Sequence, residues 1–159
     1  MTCSACGSPT VRFVVPADFH SALSAAGSVS VADDHTHTPD SCTFCTHCLV
    51  LEYGDDADAA ESESESESES DELESTDPDF SRVSDAFPTT PEQAVPLALA
   101  IGLAESLAMN RSVIETLLRD VERAGADPLL VLDRLQRDPS VEPAIDLGRR
   151  QHQLEQLLY

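Results

Sequence analysis

The run TVRFVV, residues 10–15, packs branched and aromatic side chains together and is closed by Pro16, which predicts a β-strand. A short helical turn over ADFHSALSAAG is expected to follow and stop at Gly27. SVSVADD then alternates as a second strand, and LVLEY, closed by Gly54, predicts a third. From Asp55 to Thr90 the pattern breaks. Acids, serines and prolines dominate, and ESESESESES has no apolar side chain to bury, so residues 55–90 are predicted to be a disordered acidic linker. Like-charge repulsion extends such a segment, and a solvated spacer is favoured over a phosphorylation site.

Helical periodicity starts at Thr90, which with Pro91 and Gln93 forms a capping-box pattern. A first helix is expected to run to about Met109, with Pro96 kinking it or delaying its start. Leu97, Ile101, Ala104 and Ala108 share one face and Ala100, Leu103 and Leu107 lie beside them, so this helix is apolar around most of its girth and is expected to be central. Asn110 is placed to cap a second helix with the stripe Val113, Ile114, Leu117, Leu118 and Val121, supported by Glu115 and Arg119 and ended by Gly125. Asp127 and Pro128 start a third with Leu129, Leu132 and Leu135, closed by Asp138 and Pro139. A fourth is expected from about Pro143 to Leu158, carrying Ile145, Leu147, Leu154, Leu157 and Leu158. Turns this short predict a small antiparallel bundle. The fold class is therefore α+β: a β unit over residues 1–54, the linker over 55–90 and an all-α helical domain over 91–159.

Charge changes this picture in one respect. The net charge is −21, all nine basic residues are arginine, and 14 acids against Arg82 fall in residues 55–90. Lysine-free, acid-rich usage looks like that of proteins in the multimolar salt of an extreme halophile, where self-repulsion is screened over a few ångströms. The N-terminus MTCSACGSPT has neither a charged lead nor an apolar core, and the longest uncharged apolar run, Ala94 to Ala104, is far short of a membrane span. The chain is accordingly expected to be cytoplasmic, with no membrane contact, where CxxC pairs favour metal or redox chemistry over structural disulfides.

The five cysteines fall as Cys3 and Cys6, then Cys42, Cys45 and Cys48 in SCTFCTHC. Two CxxC turns separated by a strand-bearing loop bring four soft ligands to one tetrahedral ion, with Zn–S of about 2.3 Å. Gly7 follows the first pair, where the chain must turn sharply so that N–H groups can face sulfur. The second turn can be built from Cys42 with Cys45 or from Cys45 with Cys48. The second choice is favoured because it leads directly into LVLEY, which makes Cys3, Cys6, Cys45 and Cys48 the expected ligands of one Zn²⁺ per chain. Cys42 is then a spare thiol at the end of the preceding turn. Tetrahedral sulfur also suits iron, but the aromatic residues that would shelter it are few: Phe13, Phe19, Phe44 and Tyr53. His35 and His37 read as a polar loop before a second metal site, His47 as pointing outward, and His20 and His152 as having no evident partner.

CSACG with a distant CTHCL resembles the zinc-ribbon, or rubredoxin-like, superfamily over about a third of the chain. The tail PEQAVPLALAIGLAESLAMNRSVIETLLRDVERAGADPLLVLDRL, joined to such a ribbon, is similar to a family of short haloarchaeal proteins of unknown function. The resemblance implies a fold and a lineage and carries no activity with it.

Enzyme chemistry has little to build on. The six glycines are isolated, so no phosphate-cradling loop is present. A deaminase signature fails because HTH lacks its glutamate and PDSCTFC has the wrong proline spacing. Cys3 has no strand before it, as a thioredoxin-like pair would require. A site with four thiolates leaves no open position for substrate. The expectation is a non-enzymatic interaction or adaptor module with a protein partner, the helical domain being either a dimer contact or a self-contained bundle. A nucleic-acid-associated factor is the first alternative, disfavoured because Arg12 is the only arginine in residues 1–54. An iron electron carrier is the second.

Overall fold

Three short strands and four helices make up the described parts of the chain, residues 2–19, 41–54 and 78–159 of a computed structural model. The second strand expected at SVSVADD and the ESESESESES run lie outside the described residues. The strands are β1 (Thr10–Val14), β2 (Ser41–Cys45) and β3 (Leu51–Gly54), forming an antiparallel sheet in the order β1-β2-β3. Val11 pairs with Phe44 and Phe13 with Cys42. Residues directly opposite in an antiparallel ladder share a face, so these four, all buried, form one apolar face, which Val15 extends. The strand before the second CxxC turn is thus SCTFC itself. Cys42 lies within it, not in a turn as expected.

That face meets an aromatic joint supplied by the segment leading into the helices. Phe80, in a 3-10 turn (Phe80–Arg82), packs between Phe13, tilted at 5.5 Å between ring centroids, and Phe87, stacked at 5.6 Å; Phe87 in turn meets Phe44 at 5.8 Å. Residues 78–90 fall in the span read from the sequence as linker, yet Phe80, Val83 and Phe87 are buried in the core. Strand and helix residues belong to one continuous apolar cluster, so the β and α parts share a core.

Helix α1 (Pro91–Leu103) is buried on nearly every side, as its apolar girth predicts. Pro96 lies inside it without ending it, because the carbonyl it leaves without a donor belongs to Glu92, an exposed residue of the first turn. The Thr90 side chain makes no cap bond. Gln93, instead of closing a capping box, donates from Nε2 to the Ala124 carbonyl at 2.7 Å and ties the start of α1 to the end of the next helix. A 3-10 turn (Ala104–Ser106) leads to α2 (Leu107–Arg123), so the break comes earlier than Met109. Asn110 interrupts α2 with φ −112° and ψ 15°, and its amide donates back to the Leu103 carbonyl at 3.3 Å. By length and composition the run Pro91–Arg123 could cross a membrane, with mean hydropathy 1.3 in its most apolar window. Yet 61% of that window is buried inside the fold, as in a core helix.

Gly125, at φ 98°, ends α2 as expected, with Gly125 N–H bonded to the Glu122 carbonyl and Ala126 N–H to that of Val121. Asp127 caps α3 (Pro128–Arg137) by accepting from the N–H groups of Leu129 and Leu130. Helix α4 (Leu147–Leu158) begins four residues later than expected, capped by Asp146. Helix α1 packs on α2 and on β3, while α4 packs on α3 and α2.

The α1–β3 contact depends on Gly102. A Cβ built there would sit 2.4 Å from Leu51 Cβ, a separation real side chains do not tolerate. Gly102→Ala is therefore expected to destabilise the fold by about 1–3 kcal/mol through overpacking, despite alanine's better helix propensity. Urea denaturation checks this, and a neutral or stabilising effect would show that the helix does not press on β3.

Candidate metal centre

Two sharp turns bring four thiols together at one end of the sheet. In the first, Cys3 N–H donates to the Ser8 carbonyl at 2.8 Å and Gly7 N–H to the Cys3 carbonyl at 2.9 Å, with Gly7 at φ 74°. The second repeats this closure where β2 ends, as Cys45 N–H donates to the Val50 carbonyl at 3.0 Å. Leu49 takes the place of Gly7 and holds φ 60° despite its side chain, which is buried. Left-handed backbone is costly for a residue with a Cβ, and the burial of Leu49 in the shared core offsets that cost. The two turns are tied by Thr46, whose N–H and hydroxyl both donate to the Pro9 carbonyl, at 3.1 and 2.8 Å.

The sulfurs of Cys3, Cys6, Cys45 and Cys48 all lie within 4.8 Å of one another. Across the turns, Cys3 Sγ is 3.6 Å from Cys48 Sγ and Cys6 Sγ is 3.4 Å from Cys45 Sγ. A tetrahedron with arms of about 2.3 Å has edges of about 3.8 Å, so the group is close to the size a metal ion needs. Backbone donors already face it. The N–H groups of His47 and Cys48 each lie 3.4 Å from Cys45 Sγ, the arrangement that stabilises a bound thiolate.

Cys42 stands apart. Period-three cysteines on a period-two strand cannot all face one way, so Cys42 turns into the apolar face while Cys45 closes the strand on the other. Its thiol is fully buried, and that burial pushes its pKa up to about 12. Cys3, Cys45 and Cys48 are buried and Cys6 is exposed. Ser8, through its hydroxyl and N–H, lowers the Cys6 pKa to about 6, while burial raises those of Cys45 and Cys48. A cation binding here must displace protons from the raised thiols, so its affinity falls as pH falls.

His47 does not simply point outward. It is half-buried, with Nδ1 2.9 Å from the Ser140 carbonyl and Nε2 3.6 Å from Glu142 Oε2. His152 sits on the exposed side of α4 beside Gln156, and His20, His35 and His37 lie outside the described residues. Sequence pattern does not single out Ser8, Thr46 or Leu49 as supports of the site; the only signal for the first two is a hydroxyl two residues after the first CxxC and one inside the second.

Fold and site together define a protein with a small three-stranded antiparallel sheet, a four-cysteine group that can hold a metal ion, and C-terminal helices. A family model described as a family of unknown function (DUF6276) matches residues 2–158, and the chain belongs to that family. Sheet and helices therefore fall within one family unit. No curated protein and no solved structure matches the chain.

Proposed function

We propose that the chain is a non-enzymatic zinc protein of the cytoplasm, in which Cys3, Cys6, Cys45 and Cys48 hold one structural Zn²⁺ in a zinc ribbon and the whole fold serves as an interaction or adaptor module for another protein. The convergence of the four sulfurs carries the metal reading. Four protein ligands complete a tetrahedral shell and leave no position for substrate, which favours structure over catalysis. A cleft of about 800 Å³ lies between Phe13 and Val14 of β1 and Val95 and Pro96 of α1, and none of the four cysteines lines it. The lysine-free, strongly acidic chain favours a protein partner over a polyanion.

Elemental analysis of protein purified without added metal or chelator tests the metal reading. The expected result is one zinc per chain and no iron. One iron per chain would move the function to electron transfer, because the same donor set suits that ion. Absence of any metal would overturn the reading.

A further inference from the structure

The second cysteine turn also makes contact with the far end of the chain. Between α3 and α4, Glu142 N–H donates to the His47 carbonyl at 2.8 Å and Ala144 N–H to the Cys48 carbonyl at 2.9 Å. The His47 ring meets the Ser140 carbonyl at 2.9 Å; since a carbonyl only accepts, Nδ1 is the donor. The segment is held from its other side too, where the Ser84 hydroxyl donates to Asp138 and Val141 is buried. This pairing is why α4 starts at Leu147.

One peptide group joins the sulfur to this contact. The 47–48 peptide is planar and trans, so its N–H and C=O point in opposite directions. Its N–H, on Cys48, faces Cys45 Sγ at 3.4 Å, and its C=O, on His47, receives Glu142 N–H. When the sulfur is a metal-bound thiolate, the N–H···S bond is charge-assisted, the plane is held, and the carbonyl is polarised toward its donor. When the sulfur is a neutral thiol, the N–H···S bond loses its charge assistance and the plane is held less firmly, by the Glu142 donor on its carbonyl.

We propose that the four-cysteine centre and residues 138–146 form a metal-responsive clasp: a bound metal holds the α3–α4 junction on the ribbon, and metal loss releases that junction while the α1–α2 core stays folded. The inference rests on the metal reading above. Linkage makes the coupling reciprocal: the factor by which bound metal favours the closed clasp is the factor by which the closed clasp tightens metal binding, so opening the clasp weakens metal binding. The C-terminal helices would then report metal status to whatever the protein contacts.

Hydrogen–deuterium exchange on the full chain, metal-loaded and then stripped with a chelator under reducing conditions, tests this. The expected result is at least tenfold faster exchange at Glu142 and Ala144 after stripping, with Leu117 and Leu118 in α2 unchanged. A companion measurement uses Ala144→Pro, which removes the donor to Cys48 without touching a ligand, and His47→Ala, which removes the ring contact. Each is expected to weaken zinc retention against a competing chelator about three- to tenfold, the scale of one hydrogen bond. Equal exchange at Glu142 and Ala144 with and without metal would overturn the clasp and leave the metal reading standing, as would unaltered zinc retention in both variants. Acceleration spread equally through α2 would also overturn it, by showing global unfolding. A chain that retains no metal at all would instead defeat the metal reading beneath it.

Discussion

Cys45→Ser is expected to abolish metal binding and to remove several kcal/mol of stability, whereas Cys42→Ser keeps the metal and loses far less. Cys45 is the most connected of the four cysteines: it ends β2, its N–H closes the second turn on Val50, and its sulfur faces the N–H groups of His47 and Cys48. Structural zinc supplies about 10–16 kcal/mol of apparent binding energy in small peptides that fold around it. The cost here is expected to be lower, because the sheet also leans on the helical core through Phe13, Phe44 and Leu49. Cys42→Ser places a hydroxyl in an apolar site that is 0% exposed, which costs about 1–3 kcal/mol if it finds no partner. Metal content per chain and the denaturation midpoint of both variants check the contrast. Loss of metal in the Cys42 variant, or its retention in the Cys45 variant, would reverse the ligand assignment.

Phe80→Ala is expected to cost about 3–5 kcal/mol, the range for deleting a fully buried ring. Phe80 touches the sheet through Phe13 and the approach to α1 through Phe87, so its loss opens a cavity at the joint between the two parts. Against a total stability of about 5–15 kcal/mol for an ordinary domain, this change alone would leave the protein marginal. Thermal or urea denaturation with the metal bound measures it. A loss below about 1 kcal/mol would mean that residues 78–90 are not an integral part of the core.

The parts that were legible in the sequence are those whose signal is local. TVRFV forms β1, Asp127 caps α3, Gly125 stops α2, and the stripe from Val113 to Val121 is buried as its spacing requires. The two CxxC turns were legible for the same reason, since each closes on itself within six residues. What was hidden depends on distant partners. Phe80, Val83 and Phe87 recur at a helical spacing, but an acidic, proline-rich neighbourhood masks them, and their burial comes from Phe13 and Phe44 across the fold. The late start of α4 is set by pairing with His47 and Cys48, about 95 positions earlier in the chain. Gln93 reads as a capping partner for Thr90, but its amide reaches the Ala124 carbonyl. The period-three cysteine triplet reads as a turn motif, and that spacing masks the strand that runs through Cys42.

X-ray absorption at the metal edge of purified protein tests the central claim most directly, because it counts the sulfurs around the ion. The account predicts four sulfur ligands at about 2.3 Å, unchanged in Cys42→Ser and reduced to three in Cys6→Ser. A shell containing nitrogen or oxygen in the unaltered protein, or one that loses a sulfur when Cys42 is replaced, would contradict the assignment of Cys3, Cys6, Cys45 and Cys48 as the metal centre.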